Sequence, residues 1–168
     1  MQTILDKNQL HLTIQRLAHQ LVENHPDIEN VALIGIQTGG IYLADKIVEI
    51  LKEIQDKKIL YGKLDITFYR DDIRKELHVP NQTVIPFSIE NKKVVLIDDV
   101  LFTGRTIRAA MDALQDFGRP QKVELCVLID RKSSRQLPIQ PDYFGKAIDS
   151  IISETVKVKW DREEVVLF

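Results

Sequence analysis

The sequence has little of what marks secreted, membrane-spanning or strongly charged proteins. It contains one cysteine, Cys126, so no disulfide can form within the chain, and we expect a reducing compartment such as the cytoplasm. No stretch approaches the ~20 apolar residues of a membrane-spanning helix, and the first residues lack the basic start and apolar core of a secretion signal. The net charge of −2 provides no overall attraction to nucleic acid, although a local basic face remains compatible with it.

The chain does contain enough apolar residues for one ordinary globular domain. Of its 168 residues, 44% are hydrophobic and 29% are charged, which is typical of globular proteins. A chain of this length buries roughly 70% of its unfolded surface. We therefore predict a single domain over residues 1–168 that needs no disulfide or structural metal, with Cys126 buried.

Apolar runs that indicate buried strands alternate with segments of helical spacing. The predicted buried strands are 31–36, 93–97 and 122–129, and the predicted helices are 8–23 (with Asn8 as its N-cap), 41–54 and 103–117. A half-buried strand is expected over 59–70, with Leu64, Ile66 and Phe68 on its inner face, and two short strands near 155–160 and 164–168. This alternation predicts an α/β fold with a mainly parallel sheet.

Two unusual segments follow predicted buried strands and precede predicted helices. The first is Thr38-Gly39-Gly40, and the second runs from Asp98-Asp99 to Thr106. Ligands of parallel α/β sheets bind outside the carboxyl ends of the strands, so both segments should face one crevice. Paired carboxylates accept hydrogen bonds from vicinal hydroxyls, and the hydroxyls, glycine and helix N-terminus that follow favour a phosphate.

Two other interpretations of the acidic pair carry less weight. An acidic N-cap before an ordinary turn does not explain why the pair, Thr103-Gly104 and Thr106 occur together after a buried strand. A receiver domain, in which clustered aspartates hold magnesium, usually has its acidic pair near the N-terminus, whereas this pair lies in the middle of the chain.

The segment 94–106 resembles the phosphoribosyl pyrophosphate motif of the type I phosphoribosyltransferases. The runs 65–72, 104–114 and 128–139 extend the resemblance to one branch, the bifunctional pyrimidine operon regulator/uracil phosphoribosyltransferase family. The similarity covers almost the whole chain, from Leu5 to about Trp160. It implies a phosphoribosyltransferase core flanked by helices, with a flexible arm at about 71–91 and a small C-terminal hood at about 131–168.

The resemblance also implies a role for individual residues. Asp98 and Asp99 would hold the ribose hydroxyls and, indirectly through ribose or water, Mg²⁺. Thr38-Gly39-Gly40 would form the pyrophosphate loop, Arg70 would close over the reacting centre, and Arg131 would belong to the hood over the base. The residues implied to contact phosphoribosyl pyrophosphate are Thr38, Gly39, Gly40, Asp98, Asp99, Val100, Leu101, Phe102, Thr103, Gly104, Arg105, Thr106 and Arg131.

The sequence departs from the family pattern in two places. The pyrophosphate loop usually reads Thr-Arg-Gly, so Gly39 removes a cationic contact, and we expect weaker co-substrate binding or lower turnover. The loop after Arg131 is one residue longer, and Gln140 stands where a cation is common. That cation belongs to the surface with which the regulators bind RNA. The remaining candidate RNA contacts are Arg16, His19, Arg135 and Lys146.

Three functions remain open from the sequence. The first is transfer of ribose 5-phosphate to a nucleobase, with uracil the leading base and UMP and pyrophosphate the products. The second is an RNA-binding attenuator of pyrimidine genes, with weak or vestigial catalysis, which binds leader RNA and senses nucleotides. The third is a phosphoribosyltransferase for a purine base. The resemblance implies a homodimer. None of the four histidines shows the spacing of a metal site.

Overall fold

The computed structural model describes residues 1–71 and 82–168. In chain order the elements are β1 (Gln2–Leu5), α1 (Lys7–Asn24), β2 (Val31–Ile36), α2 (Gly39–Ile54), β3 (Leu60–Leu64), β4 (Lys93–Leu101), α3 (Arg105–Leu114), β5 (Lys122–Arg131), β6 (Tyr143–Ile148), β7 (Val156–Lys159) and β8 (Glu164–Leu167). Short 3₁₀ helices cover Ile28–Asn30, Thr67–Tyr69, Gln115–Phe117 and Lys132–Ser134.

The central sheet has five strands in the order β3-β2-β4-β5-β6, and every neighbouring pair is parallel. Strand β2 connects through α2 to β3 on one side, whereas β4 lies on its other side. The order therefore reverses between β2 and β4, and such a switch point is where parallel α/β sheets open a crevice for ligands. The predicted α/β class with a parallel sheet is confirmed.

Two hydrophobic clusters cover the two faces of this sheet. On one face, α1, α2 and the small antiparallel sheet β1-β8-β7 pack against residues such as Leu33, Ile97 and Leu128. On the other face, α3 packs against residues such as Ile34, Leu96 and Val127. Successive residues of β2, β4 and β5 thus enter opposite clusters, which explains why their sequences are continuously apolar. Cys126 is fully buried, as predicted.

Several predicted boundaries are wrong for identifiable reasons. The N-cap of α1 is Asp6, not Asn8, because Asp6 and Gln9 form a reciprocal capping box. The strand predicted over 59–70 ends at Leu64, and Phe68 is 81% exposed because a 3₁₀ turn breaks the alternation. Strands β1 and β6 were not predicted.

Strand β4 is longer than predicted. It continues through Asp98 and Asp99 to Leu101 because β5 keeps pairing with it, with Asp98 opposite Val127 and Leu101 opposite Asp130. Strand β2, on the other side, pairs with β4 only as far as Ile97. The acidic pair therefore lies on a part of β4 that extends beyond its neighbour β2.

The arm and hood bounds stay predictions. Residues 72–81 of the arm, including His78, lie outside the described residues. Of the rest of the arm, Val84 forms an antiparallel bridge with Lys63, and Ile89 is fully buried. Within the part of the chain that the structure describes, no helix is long and apolar enough to cross a membrane.

Candidate active site

The two unusual sequence segments meet at the switch point between β2 and β4. Helix α2 begins at Gly39 with Thr38 as its N-cap, directly after β2. A Cβ atom on Gly40 would collide with the carbonyl oxygen of Ile97 and lie 3.0 Å from Cα of Asp98. This glycine therefore lets the N-terminus of α2 approach the backbone of β4 closely, which places the glycine loop (residues 38–40) beside the acidic pair.

Asp99 completes the contact between these two segments. Its carboxylate occupies the position that a Cβ atom on Gly39 would take. Asp99 also accepts the N–H of Val100 at 2.8 Å, and Asp98 accepts the N–H of Asp99 at 2.9 Å. The two carboxylates are thus held by the backbone of their own strand.

The surroundings of the acidic pair disfavour its ionised form. Burial raises the pKa of Asp98 well above its ordinary range, the neighbouring Asp99 raises it further, and the charge of Arg70 acts in the opposite direction. Burial also raises the pKa of Asp99. A site of this kind attracts hydroxyl donors and cations, since both favour the ionised carboxylates.

The loop predicted to bind the 5-phosphate, called the phosphate loop (residues 103–106), lies at the N-terminus of α3. Gly104 adopts a φ of +93°, which favours glycine, and the hydroxyl of Thr103 accepts the N–H of Arg105 at 3.3 Å. The carbonyl of Thr103 accepts N–H groups from Gln136 and Leu137. The loop is thereby fixed from the hood side, while the first turn of α3 presents N–H groups that have no partner within the helix.

One cavity of about 400 Å³ brings most of the predicted site residues together. Its lining is Arg70, Asp98, Val100, Leu101, Phe102, Thr103, Gly104, Arg105, Thr106, Ile107 and Gln136. Asp99 and the glycine loop border the acidic pair instead, through the contact with Gly39. A sugar phosphate bound here would have its phosphate at the N-terminus of α3 and its hydroxyls at the carboxylates.

Arg70 reaches this cavity because the residues on either side of it are tied to α3 and the turn after it. The hydroxyl of Tyr69 is bonded to Asp116, and Asp71 pairs with Arg105 at 3.0 Å. Arg105 in turn donates to the side chain of Gln136 at 2.9 Å. Sequence analysis assigned no role to Asp71 or Gln136, and only the tertiary contacts identify them.

Arg131 lies at the end of β5 and is almost completely buried. Its guanidinium stacks on the ring of Phe102 at 4.0 Å and donates hydrogen bonds to the loop that follows β6. The structure therefore places Arg131 behind the phosphate-loop cavity, among hood residues. The ligand contact expected of it stays a prediction.

The residues present fit a magnesium ion that is held mainly by substrate oxygens. Among residues 1–71 and 82–168, no group of three or more His, Cys, Asp or Glu side chains is arranged to hold a metal. The buried carboxylate of Asp98 and the half-buried carboxylate of Asp99 nevertheless offer the hard oxygens that Mg²⁺ prefers. Mg²⁺ commonly binds one or two carboxylates together with substrate phosphates.

Three of the four candidate RNA contacts form hydrogen bonds or ion pairs with other residues of the chain. Arg16 donates to the carbonyls of Phe144 and Gly145, and Lys146 donates to the carbonyl of Ile4. Arg135 pairs with Asp130 at 2.5 Å and donates to the carbonyl of Phe102. Arg16 and His19 are nevertheless exposed on one face of α1.

Comparison with known proteins agrees with this geometry. The family model described as "Phosphoribosyl transferase domain" matches residues 1–163. The chain is 47% identical to the bifunctional protein PyrR of Geobacter sp. (strain M21), over 98% of this chain and 96% of the relative. It is 48% identical to the bifunctional protein PyrR of Elusimicrobium minutum, over 93% of this chain and 88% of the relative.

Solved structures share the fold at lower identity. A hypoxanthine phosphoribosyltransferase from Staphylococcus aureus aligns with a TM-score of 0.71 and 23% identity, over 88% of this chain and 77% of that one. A hypoxanthine-guanine phosphoribosyltransferase from Bacillus anthracis aligns with a TM-score of 0.67 and 18% identity, over 88% of this chain and 82% of that one. At these identities the likeness concerns the fold alone. The extent of the family match and the identity to curated relatives show that the chain belongs to the phosphoribosyltransferase family, in the group of the bifunctional PyrR proteins.

Proposed function

We propose that this chain transfers ribose 5-phosphate from phosphoribosyl pyrophosphate to uracil, which yields UMP and pyrophosphate. The observation that supports this most is the shared cavity of Asp98, Arg70 and the phosphate loop, with the glycine loop beside Asp99. That arrangement offers partners for a phosphate, a sugar diol and a second anionic group around one point. Uracil as the base follows from the sequence resemblance.

Each part of the site has a role in this reaction. The N–H groups at the start of α3 and the hydroxyls of Thr103 and Thr106 would bind the 5-phosphate. Asp98 and Asp99 would accept the ribose hydroxyls, whose donation favours their ionised forms. The backbone of the glycine loop, at the N-terminus of α2, would receive the pyrophosphate. Positioning and electrostatic stabilisation would account for most of the acceleration, because the chemistry requires no covalent intermediate with the protein.

Mg²⁺ and the partners are part of the proposal. Mg²⁺, when bound, would neutralise charge on the departing pyrophosphate, with Asp98 and Asp99 acting indirectly through ribose hydroxyls or water. Arg70, at the start of the arm, would help to exclude water from the reacting centre. We further propose a homodimer that works in the cytoplasm, where a single buried thiol is under no pressure to form a disulfide.

The direct test is pyrophosphate release from phosphoribosyl pyrophosphate and Mg²⁺ with uracil, hypoxanthine, guanine or adenine offered separately. Turnover with uracil alone, lost in Asp99→Asn, is the expected result. Turnover with a purine instead would overturn the choice of base. If no base is turned over although UMP binds, the enzymatic proposal fails and the regulatory one leads.

The second candidate function is binding of leader RNA. It rests on the exposed side chains of Arg16 and His19 on α1, and Arg16 contacts the backbone of the edge strand β6 next to Lys146. Binding through such a face should weaken as salt concentration rises, since it releases counterions. A filter-binding titration of pyrimidine leader RNA at two salt concentrations, with Arg16→Ala and the remote Arg162→Ala as control, tests it. Equal affinities of both variants would contradict a role for this face.

A further inference from the structure

The hood loop (residues 149–154) lines a cavity of about 770 Å³ together with Ser133. Two of its exposed side chains are large and apolar: Ile151 is 66% and Ile152 is 75% exposed. Its backbone forms neither helix nor strand. Side-chain contacts must therefore decide where this loop lies.

Arg131 supplies three hydrogen bonds to this loop, and Ser133 and Ser134 supply one each. Its Nε donates to the hydroxyl of Ser150 at 2.7 Å, and its Nη2 donates to the carbonyls of Ile151 and Glu154, both at 3.0 Å. These three bonds join one guanidinium to the middle and the end of the hood loop. A planar group with fixed donors is suited to hold several acceptors in one geometry.

The same guanidinium is fixed from the opposite side by the phosphate-binding segment. It stacks on the ring of Phe102, which lines the cavity of the phosphate loop. The carbonyl of Phe102 accepts a hydrogen bond from Arg135 at 2.8 Å, and Arg135 pairs with the buried Asp130. Phe102 is thus contacted by Arg131 at the end of β5 and by Arg135 just after it.

We propose that Arg131 is a positioning residue that sets the hood loop relative to the phosphate loop, and thereby aligns the base with C1 of the ribose. The inference rests on the proposed function and on the hood over the base that the family resemblance implies. Arg131 acts through Phe102 and the hood backbone and does not itself bind the phosphoribosyl group. This role differs from the ligand contact that the resemblance implies, and the two make different predictions.

The test compares Arg131→Met and Arg131→Lys with the wild type in steady-state kinetics and binding. Methionine fills similar space but donates no hydrogen bond, and lysine keeps the charge without the planar fork. The KM for uracil should rise about tenfold to a hundredfold in Arg131→Met, because misplacement by about 1 Å suffices for such losses. The KM of Arg131→Met for phosphoribosyl pyrophosphate should stay within about twofold of the wild-type value. The KM of Arg131→Lys for uracil should lie between those of the wild type and Arg131→Met.

A second readout does not depend on catalysis. Hydrogen exchange of backbone amides in the free protein should become faster over residues 149–154 in Arg131→Met and stay unchanged over residues 103–107. Calorimetry should show weaker binding of UMP and unchanged binding of ribose 5-phosphate. Arg162→Met, which removes an exposed arginine from the β7–β8 turn, should match the wild type in every measurement.

Three results would overturn the positioning role. Equal weakening of ribose 5-phosphate and UMP would show that Arg131 contacts the phosphoribosyl group itself. Unchanged exchange in the hood loop, or unchanged UMP binding, would show that the loop is held without it. If the wild type turns over no base, the proposed function fails, whereas exchange and UMP binding still decide the role of Arg131. If Arg131→Met does not fold, Ser150→Ala removes the acceptor of Nε and should produce the same selective loss.

Discussion

The carboxylate of Asp99 lies where a side chain on residue 39 would have to be. Asp99 can therefore keep its present orientation only while residue 39 has no side chain. An arginine, which the family resemblance leads one to expect at this position, requires Asp99 to take another rotamer. The missing arginine thus changes the shape of the acidic site as well as its charge.

Replacing Gly39 by alanine should reduce activity without reducing stability. The obstructing atoms belong to the end of the Asp99 side chain, which can rotate away at little cost, but the carboxylate then leaves the position from which it would accept a ribose hydroxyl. We expect kcat/KM for phosphoribosyl pyrophosphate to fall about tenfold or more, with a denaturation midpoint like that of the wild type. Unchanged kinetics would show that the orientation of Asp99 is not important.

The matched substitution Gly40→Ala should reduce stability, which Gly39→Ala leaves unchanged. Here the obstructing atoms are the backbone of Ile97 and Asp98 in the centre of the sheet, and they cannot rotate away. We expect the free energy of unfolding to fall by about 1–3 kcal/mol, as is usual for overpacked sites. Urea denaturation followed by circular dichroism measures this loss. Stability equal to that of Gly39→Ala would contradict the close approach of α2 to β4.

Asp98→Asn should abolish turnover and stabilise the free protein. Burial and Asp99 raise the pKa of Asp98 above its ordinary value of 3.8, so the folded state binds this proton more tightly than the unfolded state. Wild-type stability is then lost as pH rises from that value through the folded pKa. Asparagine lacks this titration, and its amide oxygen can still accept the N–H of Asp99. At pH 7 we expect a gain on the order of 1 kcal/mol.

Thermal unfolding of Asp98→Asn and of the wild type between about pH 4 and pH 8 checks the sign of this effect. The exposed Asp161, 80% accessible at its side chain, provides the control Asp161→Asn. A variant that is less stable than the wild type at pH 7 would contradict a raised pKa of Asp98 in the folded protein.

Glu124 anchors a buried polar cluster at the opposite end of the sheet from the candidate site. Its carboxylate accepts hydrogen bonds from Lys122 at 2.7 Å, from Tyr143 at 2.8 Å and from His25 at 2.8 Å. Burial raises the pKa of Glu124, but these hydrogen bonds outweigh burial and hold the pKa below its ordinary value of 4.5. The cluster joins the end of α1 to β5 and β6.

Glu124→Gln should therefore lower the free energy of unfolding at pH 7 by about 1–3 kcal/mol, since it leaves buried donors poorly satisfied. A group with a lowered folded pKa contributes stability above its unfolded pKa and loses it as pH falls through the folded pKa. The difference between variant and wild type should accordingly shrink below pH 4.5. Urea denaturation at pH 7 and below pH 4.5 measures this difference, with the exposed Glu23→Gln as control. A constant difference would contradict an ionised Glu124 in the folded protein.

Much of the architecture follows from patterns that are local in sequence. Continuous apolar runs indicated β2, β4 and β5 because strands buried on both faces need apolar residues at every position. The glycine loop and the acidic pair were recognisable because their residue types stand at strand ends. Strand β6 escaped prediction because its exposed residues, such as Phe144 and Lys146, do not form a buried run.

The sequence by itself determined the fold class, the family and the two segments that form the candidate site. Only the tertiary structure decided that Asp99 lies against Gly39, that Arg131 contacts both Phe102 and the hood loop, and that His25 and Glu124 meet across 99 positions of the chain. Periodicity and local motifs indicate the secondary structure and burial that a short segment favours. Contacts between distant residues depend on how strands align and how closely helices approach, and these are settled only when the whole core packs.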